Sequence, residues 1–252
     1  MPPLLEGRAI TVRFGGLTAV KGVDFAVAAN EVLSVIGPNG AGKTTLFNAI
    51  TGRVRPSEGQ ILLRGQAIQR LAPHAIAKRG IVRTFQKTEV FGPLTVVQGV
   101  QAGALARREA AMWRELWRPR RNGDPFADRA RKALEVVGLL PKADLPAEQL
   151  SYGEQRLLEV AQALAADPDV LLLDEPASGM NPQESTHVMR LIAALRGRGM
   201  AIILVEHNMQ VVMNISDRVI VLNHGERIAE GTPDEVRRDP QVVAAYLGEA
   251  TR

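Results

Sequence analysis

Residues Gly37-Pro38-Asn39-Gly40-Ala41-Gly42-Lys43-Thr44 fit the pattern G-x-x-x-x-G-K-S/T. Glycines let such a loop curl until its backbone N–H groups converge, and a helix starting at its end adds the partial positive charge of its N-terminus. The ligand this suits is a polyphosphate. Lys43 would neutralise β- and γ-phosphate oxygens, the Thr44 hydroxyl would coordinate Mg²⁺, and Thr45 would support the α-phosphate. A plain glycine-rich turn is the alternative, but an apolar run before the loop and helical spacing after it favour the phosphate site.

A second cluster with chemistry in it is Val170-Leu171-Leu172-Leu173-Asp174-Glu175, an apolar run ending in two carboxylates. Asp174 would steady Mg²⁺, commonly through water, and Glu175 could polarise an attacking water. Alone, the pair reads more readily as a solvated loop; beside a phosphate loop the hydrolytic reading is favoured.

Leu150-Ser151-Tyr152-Gly153-Glu154-Gln155-Arg156 resembles the signature motif of ATP-binding cassette (ABC) ATPases. Its Ser-x-x-Glu spacing is also a capping box that opens a helix. The resemblance implies that Ser151, Gly153 and Glu154 face the γ-phosphate of ATP on a second cassette, so that two subunits close head-to-tail around two nucleotides. Three further residues occur in family order. Gln86 matches the glutamine that touches Mg²⁺ or the attacking water, His207 the histidine that contacts the γ-phosphate, and Phe14 the aromatic residue that stacks on adenine. Each taken singly has a bland explanation as a loop or core residue. Tyr152 stands where glycine is commonest, and Asn181 stands where many ABC ATPases have aspartate.

In detail the chain is similar to the larger of the two cassettes of branched-chain amino acid importers. Arg13-Phe14-Gly15-Gly16-Leu17, Val82-Arg83-Thr84-Phe85-Gln86, Ala177-Ser178-Gly179-Met180-Asn181-Pro182, Val205-Glu206-His207-Asn208-Met209 and Ala245-Tyr246-Leu247-Gly248-Glu249-Ala250 carry the likeness. It implies transmembrane permease subunits, a second ABC ATPase subunit and an extracytoplasmic solute-binding protein as partners. It also implies residence at the cytoplasmic face of the inner or plasma membrane. Related importers handle urea, amides and aromatic acids, so those substrates stay open; a non-transport ABC ATPase acting on nucleic acid is the remoter alternative. Phe91 and Leu94 are candidate contacts for a membrane subunit, and Trp113 and Trp117, among arginines, for a partner or lipid headgroups. Internal packing is the competing reading for all four.

These residues need a scaffold. Buried strands are expected at 31–36, Val170–Leu173, Ala201–Val205 and Arg218–Leu222, with crossover helices between them, and antiparallel strands at Ile10–Phe14, Val23–Val27 and Gln60–Arg64. Residues 95–166 have helical spacing. The expected fold is an α/β phosphate-loop ATPase core with a mostly parallel sheet, an antiparallel β subdomain and an inserted helical subdomain. It forms one domain over 1–252, with 1–94 and 167–252 as core and 95–166 as helical insert.

Composition fits this scaffold. Of 252 residues, 46% are hydrophobic and 23% charged, and the net charge is +4, a mild excess suited to anionic partners without naming one. The absence of cysteine excludes disulfides, thiolate metal sites and thiol nucleophiles. Apolar runs are too short for a spanning helix, so membrane association is expected only through partners. No sustained heptads or second cassette point to nucleic acid, and none is expected as a partner.

Overall fold

The computed structural model describes residues 2–84, 94–105 and 125–247. Leu5–Phe14 (β1) and Leu17–Val27 (β2) form a hairpin across Gly15 and Gly16 with Phe14 opposite Leu17. Both strands run further toward the N-terminus than their short apolar runs suggest, because Leu5 and Val20 are fully buried and extend the inward-facing pattern. β1 pairs on its other edge with Glu58–Leu63 (β4), which returns as Gln66–Ala67 (β5). Arg64 lies in the left-handed turn between these two, not in the strand. The result is a four-stranded antiparallel sheet in the order β2-β1-β4-β5.

The second sheet holds Val32–Ile36 (β3), Ile81–Arg83 (β6), Val170–Asp174 (β7), Ala201–Val205 (β8), Arg218–Asn223 (β9) and Glu226–Gly231 (β10). Their order is β10-β9-β3-β8-β7-β6, parallel throughout except for the β9-β10 hairpin. Every residue of β3, β7 and β8 is buried, as expected for strands covered on both faces. Leu171, Leu173, Ile202 and Leu204 pack into one core; their alternates Val170, Leu172, Ala201, Ile203 and Val205 pack into another with the antiparallel sheet and the helix Lys43–Ile50 (α1).

Pro73–Lys78 (α2) leads into β6. Between Thr95 and Ala166 the described elements are Val96–Leu105 (α3), Pro125–Val136 (α4), two short 3-10 turns and Tyr152–Ala165 (α5), with one isolated bridge from Thr95 to Pro146. Val96, Val100, Ala104, Ala130, Leu134, Leu158 and Ala161 close the space between these helices. Pro182–Arg196 (α6) and Met209–Ile215 (α7) follow β7 and β8, and Pro233–Arg238 (α8) and Pro240–Leu247 (α9) end the described chain. Ser151, Asn181 and Thr232 each cap a helix in a reciprocal box with Glu154, Glu184 and Glu235. No described helix is long and apolar enough to cross a membrane.

Gln86, Phe91, Trp113, Trp117 and the end of the chain from Gly248 lie outside the described residues. Leu94 is half-buried, and its carbonyl accepts from the Ala147 N–H at 3.0 Å.

Candidate functional site

Three neighbouring parallel strands deliver the candidate residues to one edge of the sheet. Val35 of β3 and Asp174 of β7 both pair with Val205 of β8, forming one row across the sheet. The glycine-rich loop begins two residues beyond Val35, His207 lies two beyond Val205, and Glu175 directly follows Asp174. Such a carboxyl edge is where open α/β sheets bind ligands.

The loop is shaped by backbone packing as much as by its own sequence. Gly37 has φ 145°, and a Cβ there would lie 2.0 Å from the Leu222 carbonyl oxygen of β9, so no other residue fits. Gly42, where α1 begins, provides no side-chain cap, which leaves first-turn N–H groups of α1 for a ligand. Buried Lys43 donates from Nζ to the carbonyls of Gly37 at 2.6 Å and Pro38 at 2.8 Å, folding its charge across the loop. Asn39, Gly40 and Thr44 are exposed, Ala41 and Pro38 are buried, and Thr45 is half-buried. Phe14 stands 49% exposed at the tip of the β1-β2 hairpin, a placement that suits an external planar ligand rather than the core.

The two carboxylates differ sharply. Asp174 is buried; its Oδ2 accepts from Arg83 Nη2 at 2.5 Å, while its Oδ1 is buried without a hydrogen-bond partner among the described residues. Arg83 also donates to Asn48 Oδ1 at 2.7 Å and lies 5.5 Å from the centre of the Phe47 ring. Glu175 adopts a left-handed backbone (φ 49°), costly for a side chain with a Cβ, and its Oε1 sits 2.8 Å from His207 Nε2.

Glu206 braces the pair from behind. Its buried carboxylate accepts from the backbone N–H groups of Ala177 at 2.9 Å, His207 at 3.1 Å and Asn208 at 3.4 Å. Burial pushes this carboxyl above the usual glutamate range; the three N–H groups oppose that and the nearby Glu175 charge adds to it. Neither Arg83 nor Glu206 is assigned a role by the sequence reading. The available signals were a charge ending the short strand Ile81–Arg83 and an acid directly after the apolar run of β8.

The signature turn forms a separate group. Glu154 Oε2 accepts from the Ser151 N–H at 3.0 Å and Ser151 Oγ from the Glu154 N–H at 3.3 Å, while Lys142 Nζ reaches Glu154 Oε1 at 2.5 Å. That lysine hydrogen bond is the main reason the Glu154 carboxyl lies below its ordinary range. A Cβ on Gly153 would lie 2.6 Å from Glu184 Oε1, so the starts of α5 and α6 are in contact. None of the hydrogen bonds of Ser151–Glu154 goes to the glycine-rich loop.

Among the described residues no group of three or more His, Cys, Asp or Glu is placed to hold a metal ion. A cation at this edge would take its oxygens from one carboxylate, a hydroxyl and the ligand's phosphates, the mode usual for Mg²⁺.

Known proteins match the chain over nearly its whole length. Residues 20–178 match the ABC transporter family, and residues 226–251 match the family described as branched-chain amino acid ATP-binding cassette transporter. The chain is 44% identical over 252 residues to the high-affinity branched-chain amino acid transport ATP-binding protein LivG of Escherichia coli K12, covering 98% of this chain and 99% of that one. It is 43% identical to the corresponding protein BraF of Pseudomonas aeruginosa, with the same coverage. Among solved structures it is similar to the ADP conformation of the ABC transporter cassette MJ1267, with a TM-score of 0.88 and 30% identity over 98% of this chain and 100% of that one. The chain belongs to the ABC transporter family, as an ATP-binding cassette.

Proposed function

We propose that this chain binds and hydrolyses ATP to power a membrane importer of branched-chain or other hydrophobic amino acids. The observation that supports hydrolysis best is the 2.8 Å contact between Glu175 and His207, on the sheet edge that carries the phosphate loop. The amino acid assignment rests on the branched-chain amino acid transport relatives and on the match of residues 226–251.

In this reading Gly37 to Thr44 wrap the phosphates of ATP, Thr45 supports the α-phosphate and Phe14 stacks on the adenine. Lys43 exchanges its loop carbonyls for β- and γ-phosphate oxygens. Glu175 takes a proton from the attacking water as the water oxygen bonds to the γ-phosphorus and the bond to the β,γ-bridging oxygen breaks, releasing ADP and phosphate. His207 contacts the γ-phosphate and holds Glu175 on its other side. The unpartnered Asp174 Oδ1 fits a cation, and Asp174, Thr44 and, from the sequence, Gln86 would hold Mg²⁺. Bound there, Mg²⁺ supplies charge neutralisation on the β- and γ-phosphates.

Ser151, Gly153 and Glu154 would face the nucleotide of a second cassette, a paralogue or another copy. Residues 95–166 would act as a helical subdomain against a core of 1–94 and 167–252. Permease subunits would hold the pair at the cytoplasmic face of the membrane, with an extracytoplasmic solute-binding protein on the far side.

Glu175→Gln tests the reading. Expected is retained ATP binding, turnover reduced about a hundredfold or more and a lasting ATP-bound dimer. ATP turnover at the original rate would remove Glu175 from this role.

A further inference from the structure

Glu175 opens a tight turn, and that turn is pinned at three points. The Glu175 N–H donates to the Val205 carbonyl at 2.9 Å, and the Ala177 N–H donates to Glu206 at 2.9 Å, both on the sheet side. The Ser178 N–H closes the turn onto the Glu175 carbonyl at 3.1 Å. The third pin comes from α5: the Tyr152 hydroxyl donates to the Ser178 carbonyl at 3.2 Å.

The Tyr152 hydroxyl is fully used. Besides that donated bond it accepts from Arg156 Nε at 3.3 Å and Nη2 at 3.0 Å, one proton given and two lone pairs filled. The Arg156 guanidinium also lies 5.3 Å from the ring centre and is anchored by Glu159 Oε2 at 3.1 Å. The ring itself packs on the turn, since a Cβ on Gly179 would meet Tyr152 Cε1 at 3.1 Å. Yet Tyr152 is 45% exposed, so burying the ring is not what fixes it there.

We infer that Tyr152 is a positioning residue for Glu175, tying the turn that carries the general base to the start of α5. Because two pins come from the sheet and one from α5, the set of the Glu175 carboxylate depends on where α5 sits against the sheet. A glycine at this position would leave the turn held from the sheet alone. The inference rests on the ATP-site reading above.

The test compares the full chain with its Tyr152→Phe and Tyr152→Gly variants. Phenylalanine keeps the ring on Gly179 and deletes only the hydroxyl. Three readings are taken: ATPase kcat and KM, hydrogen exchange at the Ser178 and Met180 amides, and the thermal midpoint. Expected for Tyr152→Phe is a loss in kcat of about three- to tenfold, the size one net hydrogen bond carries, with KM for ATP within about twofold of the parent. The Ser178 and Met180 amides should exchange faster while the midpoint stays near that of the parent. Tyr152→Gly should lose at least as much kcat as Tyr152→Phe. Unchanged kcat, unchanged exchange, or a rise in KM matching the fall in kcat overturns the inference. Glu175→Gln measured alongside separates the two levels: full turnover by that variant defeats the ATP-site reading, whereas a parental Tyr152→Phe beside an inactive Glu175→Gln defeats only the positioning role.

Discussion

Arg83 and Asp174 form an ion pair across the neighbouring strands β6 and β7, with side chains only 8% and 1% exposed. Removing one partner of such a pair strands a buried charge, which costs about 3–5 kcal/mol. Arg83→Leu should therefore lower unfolding stability by about that amount in urea titration. Arg83→Asn paired with Asp174→Asn should recover part of the loss while leaving ATPase activity absent. A single Arg83→Leu variant as stable as the parent would show that the pair does not hold Asp174.

Lys43 is tied to the loop it is expected to serve, through the carbonyls of Gly37 and Pro38. Charge-assisted bonds to phosphate contribute about 1.5–3 kcal/mol each. Lys43→Ala should weaken ATP binding by roughly ten- to a hundredfold, read by displacement of a fluorescent nucleotide.

Phe14 is exposed and unsupported by the core, so its truncation should separate binding from folding. For Phe14→Ala the expected outcome is an ATP affinity reduced by about 1–3 kcal/mol, with a thermal midpoint close to the parent. GTP, whose base also presents a π-face, should lose affinity in the same variant.

Glu206 makes stability depend on pH. Its carboxyl is raised in the folded chain, chiefly by burial, so folding favours its protonated form. That contribution is complete below the ordinary glutamate range and is lost as pH rises through the elevated folded value. Glu206→Gln, which cannot ionise, should flatten this part of the profile, so that the variant's stability relative to the parent improves between acidic and neutral pH. Parallel denaturation midpoints at pH 4, 5, 6 and 7 measure it.

The fold was legible because its periodicities are simple. The apolar runs of β3, β7, β8 and β9 lie within a residue or two of their predicted positions, and Ser151, Asn181 and Pro182 open helices as their types require. What escaped is what one-dimensional spacing cannot carry. Arg83 gains its partner Asp174 ninety-one positions away, and Glu206 gathers amides from two different loops. β6 is three residues long and, among the described strands, pairs with β7 alone. The contact of Tyr152 with Ser178 likewise joins a helix start to the turn after β7, which no local pattern links.

The strand that leads into the phosphate loop has an awkward history during synthesis. Both neighbours of β3 in the sheet, β8 and β9, come from the last fifth or so of the chain, and the carbonyl that crowds Gly37 belongs to Leu222. A growing polypeptide therefore carries β3 with unpaired edges for most of its translation, and contacts so distant along the chain form slowly. The nucleotide pocket can close only once the ribosome has released the residues through β9, so chains cut short before Leu222 should be clients of chaperones rather than weak ATP binders.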